Sequence, residues 1–492
     1  MSGLKYIDEQ TPTFLISSSF LEGRFDPYYY NSALKDFTVN QNFPVKKIYE
    51  VVKSFISGFG VGRQDQVDAD TGLIQIRPTN LDQYGLLKFD RNVYIPKSLI
   101  KHEGHLLEKG DVIFNNTNSQ EWVGKAAYYD LDERLAFSNH ITVLKVDGEQ
   151  IDPHYLWLIL NLYQQKMIFF SICTNWNNQS GVGLDLLKSL KIPVPDIKVQ
   201  ETIIETLQGG YQRRAELNNV CYSLLDGIDS YILNELGITL PVKDTSIDAR
   251  MFQATFQELT GRRFDPKLFD THSKNLFAAV ENAKYPIETL KNLITHSAAG
   301  DWGIDEEVEV KEDQYNTCLV IRATEFDNLY NLKLENDRVR YRKIKKDKLK
   351  QLDIQPYDLL IEKSGGSPDQ PVGRISLLTE DLFVNNTLCY SNFIHKIRVD
   401  TSRVDPSYLF CFLKTIHNIK ITEIMQSQTN GIRNLIMGEY FNQSIVLPKL
   451  NKQIEIGQEA NRRRFEAQRL SLEADKVLED ARQEIEEMIL GN

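Results

Sequence analysis

The chain writes one four-residue phrase twice, and the stretches downstream of the two copies match as well. Arg24-Phe25-Asp26-Pro27 returns as Arg263-Phe264-Asp265-Pro266, 239 residues later. FPVKKIYEVV (43–52) is answered by YPIETLKNLI (285–294), and LIQIRPTNLD (73–82) by CLVIRATEFD (318–327). LLEKGDVIFNNTNSQEWVGK (106–125) is answered by DIQPYDLLIEKSGGSPDQPVGR (353–374), which pairs Asp111 with Asp358 and Gly124 with Gly373. SNHITVLKV (138–146), DPHYLWLILN (152–161) and LKIPVPDIKVQETI (190–203) find SNFIHKIRV (391–399), DPSYLFCFLK (405–414) and QSIVLPKLNKQIEI (443–456) in the same order. The last block pairs Gln200 with Gln453, 253 residues apart. The chain is a tandem duplication whose unit is long enough to be a domain and far too long for a solenoid repeat. Between the blocks the copies differ, so one scaffold carries two different surfaces.

Within each copy, segments such as GLIQIRP, DVIFNN and ITVLKV are short, β-rich and bounded by Gly, Asn, Pro or Asp, which predicts strands. The two Asp-Pro blocks predict helices, with Asp as N-cap and Pro in the first turn. Each copy then ends in a long helical tract, over 199–236 and 452–490. In the first, Leu217, Cys221, Leu224, Ile228 and Tyr231 alternate spacings of four and three; in the second, Ala467, Leu470, Ala474, Val477 and Ala481 do the same. This is the rhythm of a coiled-coil seam, and such a helix needs a partner to cover its stripe. The economical partner is the other tract. Gly209-Gly210 predicts a weak point, where the first tract could break. The expected fold class is α+β: two tandem α/β domains separated by long helices that form an intramolecular antiparallel coiled coil. The expected segments are 1–198 and 239–450 for the domains, with 199–238 and 451–492 for the helical regions.

Charge and composition narrow the function. The net charge of −11, taken alone, argues against nucleic acid as a partner, but the charge is unevenly spread and binding feels only the nearby face. DWGIDEEVEVKED (301–313) is acidic, whereas RVRYRKIKKDKLK (338–350) carries eight basic residues against Asp347. Such a run reads either as a solvated face or as a phosphate contact. The five cysteines form no CxxC pair, which points to buried thiols in a reducing compartment. No apolar run is long enough to span a bilayer and the first residues do not read as a secretory signal, so a cytoplasmic location is expected. Neither copy holds a recognisable catalytic motif. SGFGVG (57–62) lacks the strand and helix of a cofactor loop and is lost in the second copy. HEGH (102–105) lacks metalloprotease spacing, and GGSPDQPVGR (365–374) lacks the GK[ST] of a phosphate loop. No metal site is expected. A protein-binding scaffold built on the coiled coil, with domains that read protein, is the alternative these features leave open.

Taken together, the RFDP opening, the IR…D strand block, LxxGDVI (107–113) with PYDLLI (356–361), the SN block and the IPVP…Q lead into a long helix resemble the specificity subunit of Type I restriction–modification enzymes. The resemblance runs over nearly the whole chain. It implies a non-enzymatic subunit whose two target-recognition domains each read half of a split sequence in double-stranded DNA. The helices would act as spacer and as docking surface for two DNA adenine methyltransferase subunits. S-adenosylmethionine would bind those partners and no cofactor this chain; restriction subunits are a further partner that the sequence leaves open.

Base reading needs Arg for guanine and Asn or Gln for adenine. The loops between matched strands offer Arg63, Gln64, Arg77, Asn80, Asn115, Asn116, Asn118, Gln120 and Lys125 in the first copy. The second offers Arg322, Lys363, Ser364, Ser367, Gln370 and Arg374. Arg340, Arg342, Lys343 and Lys346 of the basic run suit phosphates, which position without specifying. Because the two sets differ, two different half-sites are expected.

Overall fold

The computed structural model describes residues 4–8, 13–16, 43–176, 179–244, 246–260, 264–311, 313–327, 332–334, 340–366, 370–384, 386–429 and 432–491. Arg24–Pro27, Arg263 and Ser367 lie outside these. The chain packs into two compact units, Met1–Ala215 with Ala474–Asn492, and Glu216–Glu473. These are not the four sequential segments expected from the sequence. The reason is antiparallel helix pairing, which gives each unit half of each long helix.

The centre of the first unit is a four-stranded antiparallel sheet. Its strands are β1 (Val52–Ser57), β2 (Val112–Asn115), β3 (Ala126–Tyr128) and β4 (Ile141–Val146), ordered β1-β4-β2-β3. The second unit builds the same sheet from β5 (Ile294–Ala299), β6 (Leu359–Glu362), β7 (Ile375–Leu377) and β8 (Ile394–Val399), ordered β5-β8-β6-β7. Every residue of β2 and of β6 is buried, which is why the first three of each, VIF and LLI, are apolar without alternation. Beside each central sheet lies another, three-stranded in the first unit and four-stranded in the second, containing a parallel pair, Leu73–Ile76 with Ala136–Phe137 in one unit and Tyr315–Ile321 with Leu388–Tyr390 in the other.

Helix α1 (Pro153–Gln165) covers the first unit's core, and Tyr155, Leu156, Ile159 and Leu160 are fully buried. Asp152 caps it, accepting from the His154 amide at 2.7 Å. Asp405 caps the equivalent helix in the second unit, α3 (Pro406–Asn418), by accepting from the Tyr408 amide at 2.8 Å. Both helices thus start where the Asp-Pro pairs place them.

The long helices are α2 (Ile197–Leu236) and α4 (Leu450–Leu490). Each is fastened at its first turn by the paired glutamines. Gln200 Oε1 accepts from the Asp152 amide at 2.9 Å, and its Nε2 donates to the Pro195 carbonyl at 2.7 Å. Gln453 does the same with the Asp405 amide at 2.9 Å and the Pro448 carbonyl at 2.8 Å. Both glutamines are essentially inaccessible to water.

Within each unit the two helices run antiparallel. In the first, Arg214 meets Asp475 at 3.2 Å and Arg482 reaches the Tyr211 hydroxyl at 3.4 Å. In the second, Arg463 donates to the Gly227 carbonyl at 2.8 Å and Lys452 pairs with Glu235 at 2.8 Å. Leu217, Ile228, Leu470, Ala474 and Ala481 are buried as the seam requires. Leu224, Tyr231 and Val477 are only half-buried, and Leu225, Ile232 and Leu478 take the interior positions beside them. The seam drifts by one residue because 3.6 residues per turn does not match a strict heptad. Tyr231 instead lies under the guanidinium of Arg463, 4.6 Å from its ring centre. The break anticipated at Gly209-Gly210 does not occur. Helix α2 runs through it, and a β-carbon on Gly210 would stand 2.7 Å from that of Ala481, so the missing side chain is what admits the partner helix.

Candidate nucleic-acid interface

Several of the most suggestive residues belong to the scaffold. Arg77 donates to Gln75 Oε1 at 3.0 Å, and its backbone amide is capped by Asn80 Oδ1 at 3.0 Å. Asn80 is buried and also donates to the Lys88 carbonyl at 2.9 Å. Arg322 and Glu325 reproduce this arrangement, with the Arg322 amide 2.6 Å and its Nη2 2.7 Å from the Glu325 carboxylate. Lys125 is buried and donates to the Leu81 carbonyl at 2.6 Å. Its counterpart Arg374 is buried too, donating to the Phe326 carbonyl at 3.1 Å and forming a two-pronged ion pair with Glu362 at 2.8 and 2.9 Å. Asn115 is buried and donates to the Trp122 carbonyl at 3.2 Å.

Arg77, Asn80, Asn115, Lys125, Arg322 and Arg374 close loops onto sheets, with their side chains engaged inside the fold. Part of the basic run is engaged in the same way. Arg342 lies on the strand Tyr341–Lys345, whose alternation turns Arg342 and Ile344 inward. Arg342 donates to the Trp302 carbonyl at 2.6 Å, pairs with Asp305 and stacks on the Trp302 ring at 4.4 Å. Lys343 donates to the Val308 carbonyl at 2.9 Å, within the acidic stretch. Arg340, Lys345 and Lys350 are exposed, and Lys346, half-buried, opens the short helix Lys346–Leu352.

The remaining candidates gather where each central sheet runs out into loops. Arg63 and Gln64 are exposed on a single turn of 3-10 helix after the Gly58–Gly62 stretch. Asn116 and Asn118 leave the end of β2. Asn116 Nδ2 donates to Thr142 Oγ1 at 2.9 Å, and Asn118 Oδ1 caps the Ser119 amide at 2.8 Å. Gln120 donates to the Phe170 carbonyl at 3.0 Å. In the second unit Lys363 and Ser364 leave the end of β6 in the same way, each amide bonded to the Phe393 carbonyl. Gln370 is half-buried in the loop ahead of Arg374.

Beside these loops each unit carries a hairpin that the sequence reading missed. In the first, Thr174–Trp176 pairs with Gln179–Gly181, which pairs in turn with Thr117–Asn118. In the second, Gln426–Thr429 pairs with Ile432–Leu435, which pairs with Ser364–Gly365. Thr174, Asn175 and Trp176 are exposed, while Arg433 and Asn434 are half-buried. A β-carbon on Gly181 would overlap the Trp176 ring, so that glycine lets the indole lie across its own hairpin. Such a platform offers a flat aromatic face and amide groups together, suited to base edges and sugars. The signal was the recurrence of Asn, Gln and Ser between two apolar blocks, which reads equally well as a loop.

Each unit thus displays a hairpin bearing Asn, Gln or Arg beside the end of its central sheet. Residues 40–226 match the family model of the Type I restriction modification DNA specificity domain. A specificity subunit named MjaX, of a type I restriction enzyme in Methanocaldococcus jannaschii, is 36% identical over 99 residues, 20% of this chain and 23% of that protein. The StySPI specificity subunit of Salmonella potsdam is 29% identical over 124 residues, 24% of this chain and 26% of that protein. The chain's matches thus span about a quarter of these curated relatives' length. Among solved structures, the S subunit from M. genitalium aligns over 92% of this chain and 97% of its own, at 12% identity and a TM-score of 0.41.

Proposed function

We propose that the chain is the DNA sequence-specificity subunit of a Type I restriction–modification complex. Each unit reads one half of a bipartite target, and the paired helices set the spacing and dock two adenine methyltransferase subunits, with restriction subunits joining where the system has them. The partners bind S-adenosylmethionine and carry out methyl transfer; this chain supplies the address and works in the cytoplasm. Among the described residues, no helix is long and apolar enough to cross a membrane.

The observation that carries this reading is the duplication itself. The scaffold contacts around Gln200 and Gln453, and around Asn80 and Glu325, are retained, while the displayed hairpins differ at most positions. One scaffold with two differing displayed edges is what two different half-sites require. The test is methylation mapping. In cells carrying the chain with its methyltransferase partner, adenines methylated in a split motif are expected, and they disappear when the chain is deleted. Exchanging the 174–181 hairpin changes one half of the motif and leaves the other intact. An unchanged methylation pattern after deletion overturns the proposal and favours a protein-binding scaffold.

A further inference from the structure

Among the described residues, the two units keep an exposed asparagine in common at the edge where their loops differ. Ser138-Asn139-His140-Ile141 and Ser391-Asn392-Phe393-Ile394 are β-turns, each closed by the isoleucine amide donating to the serine carbonyl at 2.9 Å. Each turn is pinned from behind. The Ser138 amide donates to the Ile76 carbonyl at 2.9 Å and the Ser391 amide to that of Ile321 at 2.8 Å. Gly58 and Gly300 press against the serine carbonyls so closely that a β-carbon at either would overlap them. The buried serine hydroxyls have no hydrogen-bond partner among the described residues.

The asparagines are different. Asn139 and Asn392 are exposed, and neither side chain makes a hydrogen bond among the described residues. Their backbone amides are likewise unpaired there. Turn chemistry does not explain their retention. Type I turns favour Asn, Asp or Ser at the first position, which here is serine. Neither asparagine has the positive φ that would favour this residue type. Next to them the sequence has drifted, His140 to Phe393 and Asn116 to Lys363. A residue free of its own fold and unchanged beside changing neighbours has its constraint outside the chain.

We propose that Asn139 and Asn392 each grip a DNA phosphate through the side-chain amide and the adjacent backbone N–H, giving both units the same sequence-independent contact. This rests on the DNA-specificity reading above. A phosphate is favoured over a base because the residue is identical in units whose readers differ, and phosphate contacts fix register without specifying sequence. The surroundings suit it: Arg63 is exposed on the loop that follows Gly58, and Lys363 is bonded through its amide to Phe393.

The test uses Asn139→Ala, Asn392→Ala and the double variant in the full chain with its methyltransferase partner. Binding is measured to a mixed-sequence duplex pool and to the sequence selected from that pool. Each single variant is expected to weaken binding to both by about tenfold, the loss of one hydrogen bond to a charged group. The double variant loses roughly the product. The salt slope stays unchanged because no charge is removed, whereas Asn139→Lys steepens it by about 0.9. The thermal midpoint is unaltered. Wild-type affinity in the double variant, a loss confined to one base position, or a matching drop in thermal stability overturns the proposal. If the wild-type complex binds no duplex, the DNA reading falls first; if it binds selectively and the variants match it, this proposal alone falls.

Discussion

Arg374 provides a sharp test of scaffold against reader. Its guanidinium holds Glu362 through two bonds of 2.8 and 2.9 Å and the Phe326 carbonyl through a third of 3.1 Å. The Glu362 side chain is 1% exposed and that of Arg374 11%. Replacing Arg374 with Met keeps the length and removes the charge, stranding a carboxylate at the end of β6. Breaking one partner out of a buried pair costs about 3–5 kcal/mol, because the other charge has nothing to offset its desolvation. For a unit of this size each kcal/mol lowers the melting temperature by about 2–4 °C, so a fall of roughly 10 °C is expected. The companion Arg374→Met/Glu362→Leu removes both charges and should recover most of the loss, since buried pairs are replaceable by apolar residues at little net cost. Thermal and urea unfolding of the three variants beside wild type complete the cycle. A single variant as stable as wild type, or a double variant worse than the single, refutes the claim that this pair is internal architecture.

Gly58→Ala and Gly300→Ala should each destabilise their own unit by several kcal/mol, because a β-carbon would overlap the Ser138 or Ser391 carbonyl; unfolding midpoints measure this. Trp176→Ala should leave stability within about 0.5 kcal/mol while weakening duplex binding, as expected of an exposed platform. Burial lowers His417 from 6.5 to about 3 and His395 from 6.5 to about 4. The unfolded chain therefore binds more protons below pH 6.5, and stability present above that pH is lost progressively on acidification toward 3. Urea midpoints should fall across this window, and His417→Gln should flatten the fall.

Much of the architecture could be read from the sequence because duplication acts as its own control. Blocks such as Asp152-Pro153 and Asp405-Pro406, seen twice, mark helix starts, and both glutamines proved to be fasteners. The site was less legible. Arg and Asn are the residues that read bases, but they are also the ones that cap 3-10 turns and satisfy buried carbonyls. Residue type alone could not separate Arg63, exposed, from Arg374, buried. The basic run was hard to read for a related reason. Its strand alternates faces, so Arg342 points to Trp302 while Tyr341 and Lys345 are exposed. Gly209-Gly210 misled because helix propensity treats glycine as a cost, whereas a close helix crossing makes it a requirement.

The first unit is discontinuous along the chain, and synthesis has to contend with that. Its apolar core includes Leu478, Ile485, Ile489 and Leu490, contributed by the last turns of α4. A ribosome delivers those side chains only after the whole second unit has been made. Until then the amino-terminal module presents an uncovered greasy strip along Ile203 and Leu207. A nascent chain stalled short of residue 474 should therefore lean on chaperones or invite proteolysis. Only a chain that extends through α4 can seal the seam, so the first unit completes its folding last although it is made first.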